Sequence, residues 1–395
     1  TAMLLARKGY RVLVVDKATF PSDAIGNNLV KPPAMARLKR WGLMERVVAL
    51  GCPPVSRVTY DFDDCRLLAT VPPIDGVAAG YGPRRHALDA LLVDAAREAG
   101  AEVREGFSVE EITMDGERVT GIRGRAGGET VCEQARLVIG ADGRNSLVAR
   151  AVAAPEYNVH PPLACYYYSY FSGVPIEGIE VAFRDYRVLL ALGTLDGLTC
   201  VIAGWPQGEF SRVRAAYERE FWQALALYPA LAERVRAGRR EERFTGVANL
   251  RNFFRKPYGP GWALVGDAGY HKDPILAQGS SDAFRDVELL VEAIDAGFCG
   301  RQPPSAGSEG GTPQTIDQAL ADYEARRNTE SLPMYELNRQ RATLAPATPE
   351  MRRLRRALAC NQEAANQFAG VSFGTVPVQQ FFAPENLQRL LAGVN

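Results

Sequence analysis

Three short, largely apolar stretches recur along the chain, and each is followed within three residues by an aspartate. They are residues 10–15 before Asp16, residues 137–139 before Asp142, and residues 262–265 before Asp267. Apolar runs of this length are typical of strands that are buried on both faces of a parallel sheet. Helical patterns separate them, for example at residues 34–50. We therefore predict an α/β fold with a Rossmann-like parallel sheet, whose carboxyl edge carries the three acids.

Residues 152–249 have a different pattern, in which short strands are separated by turns. Residues 163–171, 179–183, 187–192 and 198–203 each have strand-like composition. They predict an antiparallel-sheet domain inserted between two parts of the parallel-sheet domain. The predicted organisation is residues 1–151 and 250–330 for the two parts, residues 152–249 for the inserted domain, and a helical C-terminal segment at residues 331–395.

Alternation along residues 163–171 places Tyr166, Tyr168 and Tyr170 on one face of the predicted antiparallel sheet. These tyrosines are candidates for lining a pocket that takes a flat small molecule. Aromatic packing within the sheet produces the same pattern, and on the pattern alone it is the more common outcome.

Composition excludes several classes of partner. The chain has 395 residues, is 47% hydrophobic and has a formal net charge of zero, without a basic cluster interleaved with aromatics. It therefore predicts a globular enzyme that binds no nucleic acid. Its 7 cysteines are scattered and form no Cys-x-x-Cys pair, which favours reduced thiols and a cytoplasmic protein. No apolar run reaches the roughly 18 residues of a membrane span, so we expect no stable membrane insertion.

The stretch from residue 262 to 286 carries the most specific signal. A strand ends at Gly266 and Asp267, a polar loop contains Pro274, Gln278 and Gly279, and a helix is predicted from Ser280 or Ser281. This order closely resembles the second FAD motif of the class A flavoprotein monooxygenases, which have the para-hydroxybenzoate hydroxylase fold. The resemblance implies that Asp267 binds the ribityl chain and that Pro274 lies near the flavin. It also implies that Gln278, Gly279 and Ser280 face the pyrimidine end of the ring.

Other parts of the chain carry the same resemblance in the same order. Asp142 and Gly143 match the family's Asp-Gly motif, which serves FAD and NAD(P)H. Arg85, in the pattern Arg-x-x-Leu-Asp, matches an arginine that contacts the flavin cofactor, and Arg84 is a second candidate. Asp16 matches the acid that binds the adenosine ribose.

Two features depart from the family pattern. The glycine loop that should lie about 20 residues before Asp16 would fall before Thr1, so we expect the chain to lack the first strand of the unit. The loop at residues 20–33 runs beside the flavin in the family and often holds an arginine near the pyrophosphate. Here its nearest cation is Lys31, and Asn27 and Asn28 are further candidates for the flavin edge.

The family resemblance implies an oxidoreductase in which NAD(P)H reduces FAD and a flavin hydroperoxide then hydroxylates a small aromatic or polycyclic substrate. Pro274, His271 and Tyr270 are the candidates for residues near the reacting atoms. One alternative is a flavin reductase like the geranylgeranyl reductases. Another is a truncated homologue that binds no FAD. The flavin halogenases are a further branch, but their Trp-x-Trp-x-x-Pro motif is missing here.

Overall fold

The computed structural model describes residues 1–22, 29–184, 186–299 and 314–392. Asn27 and Asn28 lie outside the described residues. The helices are α1 (Ala2–Arg7), α2 (Pro32–Arg40), α3 (Met44–Val48), α4 (Arg85–Glu98), α5 (Leu147–Ala151), α6 (Phe210–Ala215), α7 (Tyr217–Ala226), α8 (Pro229–Ala237), α9 (Gly279–Cys299), α10 (Ile316–Ala342), α11 (Pro349–Ala359), α12 (Gln362–Phe373), α13 (Val378–Phe381) and α14 (Pro384–Leu391).

The strands are short at the amino-terminal end and longest in the middle of the chain. They are β1 (Leu13–Val15), β2 (Pro54–Val55), β3 (Arg57–Asp61), β4 (Arg66–Thr70), β5 (Gly80–Tyr81), β6 (Glu102–Arg104), β7 (Ser108–Asp115), β8 (Arg118–Ala126), β9 (Glu129–Gln134), β10 (Val138–Gly140), β11 (Glu156–His160), β12 (Ala164–Ser172), β13 (Ile179–Arg184), β14 (Arg187–Gly193), β15 (Thr199–Pro206), β16 (Arg239–Arg240), β17 (Thr245–Val247), β18 (Asn252–Arg255), β19 (Tyr258–Gly259), β20 (Trp262–Leu264) and β21 (Tyr270–His271).

The mixed α/β character of the fold is confirmed, and outside the large sheet described below the parallel strands form two separate pairs. β1 lies parallel to β6, and β10 lies parallel to β20. Within the described residues no hydrogen-bonded strand joins these pairs, so one continuous Rossmann-like sheet stays a prediction. Apolar side chains from α1, α2, α4, α9 and α10 form the core beside them. The acids that follow β1, β10 and β20 all stand at strand ends, as the pattern predicted.

The predicted antiparallel sheet is confirmed and is larger than expected. Its strand order is β16-β12-β15-β14-β13-β3-β4, with β17 also paired with β12. Neighbours are antiparallel except for β13 and β3, which are parallel. β3 and β4 lie within residues 1–151, so the sheet draws strands from both sides of the predicted boundary. The domain boundaries themselves stay a prediction.

The two faces of this sheet are covered by different helices. Tyr167 and Phe171 belong to a cluster with α7 and α8, whereas Tyr170 belongs to a cluster with α11, α12 and α13. The C-terminal segment is helical, as predicted, and part of it closes the second face. None of the helices in the described part of the chain is long and apolar enough to cross a membrane.

Candidate active site

The turn after β20 is fixed to the neighbouring parallel strand by the backbone. The amide of Val265 donates to the carbonyl of Gly140 at 3.0 Å, and the amide of Gly269 closes the turn on the carbonyl of Gly266 at 2.8 Å. Gly266 has a φ of +61°, a conformation that costs a residue with a Cβ more than it costs glycine. Asp267 follows directly, with an exposed side chain. The glycine therefore sets the direction in which the carboxylate leaves the strand.

Several ionisable groups meet around Asp267. Surrounding protein atoms raise the pKa of its carboxyl group although part of its surface is open to solvent, and Asp282 acts in the same direction. The charges of His271, Arg85 and Arg144 act against this rise. Within the described residues the Asp267 carboxylate has no hydrogen-bond partner. The structure thus places Arg85 within electrostatic range of Asp267 and leaves the acid able to accept hydrogen bonds from a ligand.

Arg85 is the first residue of α4 and already has a strong partner. Its guanidinium binds Asp89, one turn along the helix, with N–O distances of 2.7 and 2.9 Å. This hydrogen bonding raises the pKa of Arg85. Arg84, the second candidate, pairs with Glu242 and lies 4.4 Å above the ring of Tyr170. Burial raises the pKa of Asp267, and the charge of Arg85 acts to lower it.

Asp142 and Asp16 both organise the turns that follow their strands. The Asp142 carboxylate accepts the amide of Leu147 at 2.6 Å at the start of α5, and Gly143 has a φ of +75°. The Asp16 carboxylate accepts the amide of Ala18 at 2.8 Å. Each acid keeps a second oxygen that can accept other bonds. Their contacts with a cofactor stay a prediction.

Two buried arginines that the sequence patterns did not reveal hold the turns in place. Arg255 donates to the carbonyls of Arg144 and Ala268, both at 3.1 Å. Arg327 donates to the carbonyls of Gly269 and Arg255 at 3.3 and 3.1 Å. Together they connect the turn after β10, the turn after β20 and α10. Their positions in β18 and α10 gave no local signal of this role.

Tyr270 and His271, two of the predicted catalytic residues, are buried in β21 and have partners there. The Tyr270 ring stacks on Phe254 with centroids 4.8 Å apart, and its hydroxyl accepts from Arg285 at 2.9 Å. Nδ1 of His271 lies 2.6 Å from the carbonyl oxygen of Arg251. These contacts orient both rings. A direct part for either in the reaction stays a prediction.

The loop from Pro274 to Ser280 leads from β21 into α9. Pro274 is exposed at the start of a 3₁₀ turn, and Ala277 has a φ of +46°. Gln278 is buried and donates its amide to the carbonyl of Ser372 at 2.9 Å, so this side chain fastens the loop to α12. Gly279 begins α9, where a Cβ would have no atom within 4 Å, and Ser280 is half-buried beside it.

Three observations indicate that this edge can accommodate a flat cofactor with polar groups. The Asp267 carboxylate has unused acceptors, and space is open over Gly279. Buried Nη1 of Arg144 and Oγ of Ser281 have no hydrogen-bond partner. A ligand with hydroxyl groups and a ring edge rich in acceptors matches this set of donors and acceptors.

An apolar cavity lies beside the same loop. Its walls come from β3, β13, β14, α10, α12, residues 29 and 31 just before α2, and the turn at residues 275–277. Tyr166, Tyr168 and Tyr170 lie on the cavity side of the sheet, because Tyr168 stands in one cross-strand row with the lining residues Leu190 and Val181. None of the three lines the cavity, and the hydroxyl of Tyr166 donates to Asp273 instead. Their contact with a substrate stays a prediction.

Comparisons with known proteins agree with this geometry. Residues 1–165 match the model of an FAD binding domain family. A tryptophan 2-halogenase of Chondromyces crocatus is 26% identical over 78% of this chain and 61% of its own length, so the chain spans less than two thirds of that relative. A kynurenine 3-monooxygenase of Salinispora tropica is 27% identical over 82% of this chain and 73% of its own length.

A solved structure supports the fold as a whole. The flavoprotein/dehydrogenase from Cytophaga hutchinsonii superposes with a TM-score of 0.80 at 17% identity, over 99% of this chain and 94% of that protein. The FAD motifs, their order and the relatives lead to one conclusion. Residues 1–165 carry an FAD binding domain, and the chain is homologous to FAD-dependent monooxygenases and flavin halogenases.

Proposed function

We propose that this protein is an NAD(P)H-dependent FAD monooxygenase that hydroxylates a small aromatic substrate. The observation that carries the proposal is the loop shared by two sites. Residues 275–277 line the apolar cavity, and the same loop lies between Asp267 and Gly279, which match the family's FAD motif. A substrate in the cavity would therefore lie against the segment that holds the flavin.

FAD, when bound, supplies the redox chemistry by accepting a hydride equivalent from NAD(P)H and activating dioxygen. In our proposal, Asp267 accepts hydrogen bonds from the ribityl hydroxyls. Backbone N–H groups at the start of α9 face the pyrimidine edge and favour negative charge there. The apolar walls of the cavity exclude water from the bound substrate.

Halogenation is the second candidate function, because relatives of the chain include a tryptophan 2-halogenase. Similarity to known proteins supports halogenation and hydroxylation equally. The absence of a Trp-x-Trp-x-x-Pro motif from the sequence favours hydroxylation. The two functions differ in what is transferred to the substrate, which is an oxygen atom in one case and a halogen atom in the other.

Product analysis distinguishes them directly. Purified protein is incubated with FAD, NADH or NADPH, isotopically labelled dioxygen, chloride, bromide and a panel of aromatic acids and phenols. A monooxygenase gives a product that gains one labelled oxygen atom. A halogenated product without labelled oxygen, or a product reduced at a double bond without dioxygen uptake, would contradict the proposal. A parallel reaction with chemically reduced FAD shows whether failure lies only in the NAD(P)H step.

A further inference from the structure

A buried cluster of charged side chains surrounds the first turn of α9. Lys272 follows β21, and its Nζ lies 2.6 Å from Oδ2 of Asp282. Arg285 donates to the other oxygen of Asp282 at 3.2 Å and to Asp286 at 2.7 Å. The side chains of Lys272 and Asp282 are only 5% and 12% exposed, so water and salt screen this ion pair weakly. Two cations and two carboxylates therefore lie together at the helix end that we assign to the cofactor.

Lys272 is the cation that Asp282 does not share with another acid. Arg285 contacts Asp282, Asp286 and, at 4.0 Å, Glu330, so its charge is divided among three carboxylates. Lys272 forms an ion pair with Asp282 alone within the described residues. Burial by itself would raise the pKa of the Asp282 carboxyl group, but Lys272 and, to a smaller extent, Arg285 reverse this effect and lower the pKa. Asp282 is thus ionised, and Lys272 is the main charge that balances it.

The charges of this pair act both at the cofactor edge and at the apolar cavity. Burial raises the pKa of Asp267 at the cofactor edge, and Asp282 adds to the rise. Burial lowers the pKa of Lys31, which lines the cavity, to about 7, while Lys272 adds to this effect and Asp282 opposes it. Between them, the hydroxyl of Ser281 is buried and has no hydrogen-bond partner. A ligand that lies between the cofactor edge and the cavity is therefore within range of both charges.

We infer that the ion pair of Lys272 with Asp282 sets how much more tightly the protein binds reduced FAD than oxidised FAD. Two electrons and one proton convert FAD to a reduced form with one additional negative charge on its ring. Backbone N–H groups at the start of α9 favour that charge, whereas an unbalanced carboxylate in the same turn opposes it. Lys272 is thus a positioning residue that holds Asp282 and cancels its charge. The inference rests on the proposed function for the location of FAD.

A redox titration in the absence of dioxygen tests the inference without turnover. The midpoint potential of bound FAD is measured with dithionite and reference dyes near neutral pH. Lys272→Met leaves Asp282 unbalanced, so we expect reduced FAD to bind about tenfold more weakly relative to oxidised FAD, which lowers the potential by about 30 mV. Asp282→Asn leaves Lys272 unbalanced and raises the potential by a similar amount. The double variant removes both charges and keeps a potential close to that of the unchanged protein.

Glu292→Gln is the matched control, because Glu292 is an exposed acid of the same helix that pairs with Arg326 at 2.8 Å. It leaves the potential unchanged. Equal potentials in all of these proteins, shifts of both single variants in the same direction, or a double variant that keeps a single variant's shift would each overturn the inference. If Lys272→Met does not fold, the rise in Asp282→Asn and its reversal in the double variant still decide the question.

The result is separable from the test of the proposed function. A protein that binds FAD, transfers labelled oxygen and shows the same potential in every variant leaves the proposed function standing while the inference falls. A protein that binds no FAD overturns both.

Discussion

At the scale of single residues, Asp267 is the acid on which the cofactor assignment depends. Gly266 directs it away from the strand, and Arg85, Arg144 and His271 favour its charged form. The Asp267 carboxylate makes no hydrogen bond within the described residues, so it can accept hydrogen bonds from a cofactor. Asp16 and Asp142 differ, since each already accepts a backbone amide in its own turn.

We predict that Asp267→Asn weakens FAD binding by about tenfold or more, because bonds from ribityl hydroxyls to a charged acceptor are stronger than those to an amide. The measurement is a fluorescence titration of FAD. Asp115→Asn, at the exposed end of β7, is the control and keeps the affinity of the unchanged protein. Equal affinities for all three proteins would exclude Asp267 from the cofactor site.

Asp273 predicts a pH dependence of stability. Burial raises the pKa of its carboxyl group from 3.8 to about 6, partly offset by hydrogen bonds from the Tyr166 hydroxyl and the amide of Ile275. The folded state therefore binds this proton more tightly than the unfolded state. Protonated Asp273 therefore contributes fully to the free energy of unfolding below about pH 4. This contribution, of up to about 3 kcal/mol, is lost as the pH rises to about 6.

Denaturant unfolding of the unchanged protein and of Asp273→Asn between these pH values measures that contribution. We expect the unchanged protein to lose stability relative to Asp273→Asn as the pH rises, because only the unchanged protein has this carboxyl group to deprotonate. A difference that stays constant across the window would show that Asp273 does not titrate there.

At the scale of elements, the loop between β20 and α9 could be predicted because its signal is local. A strand end, a glycine, an acid and a helix start follow one another within residues 262–281, and the structure begins α9 at Gly279. The donors around the cavity could not be predicted in this way. Tyr60, Lys31 and Arg341 all line the cavity but come from distant parts of the chain, so only the tertiary fold places them around it.

Gln278 shows a second limit of local patterns. The motif places Gln278 near the flavin, and that contact stays a prediction, but the motif gave no sign that the amide of Gln278 bonds to Ser372 of α12. The spacing of a motif fixes where a residue stands in its loop, but the direction of a side chain depends on which partner packs against it.

Gly279 gives a test at this scale. A side chain there meets no atom within 4 Å and the backbone needs no positive φ, so Gly279→Leu should leave the melting temperature of the FAD-free protein nearly unchanged. It should weaken FAD binding strongly, because the side chain would occupy the space of the ring. Gly208→Leu is the matched control, because a side chain at Gly208 also meets no atom within 4 Å. Gly208 lies in the turn at residues 207–209, outside the FAD motif. Loss of FAD affinity in both variants, or in neither, would contradict the position proposed for the flavin.

At the scale of the whole molecule, the loop before α9 links the proposed cofactor edge to the large sheet, because residues 275–277 line the same cavity as β3, β13 and β14. Arg255 and Arg327 hold the turns after β10 and β20 together, while the C-terminal helices close the sheet face that contains the cavity. The loop at residues 274–279 belongs to both regions. Cofactor and substrate are therefore expected to contact each other through this loop.

The visible absorption spectrum of the bound flavin tests this central claim most directly. FAD-loaded protein is titrated with benzoate while the flavin spectrum is recorded. A ligand in the cavity should perturb the flavin band in a saturable way. A protein that retains no FAD, or one that binds benzoate by calorimetry without any change in the flavin band, would contradict the account.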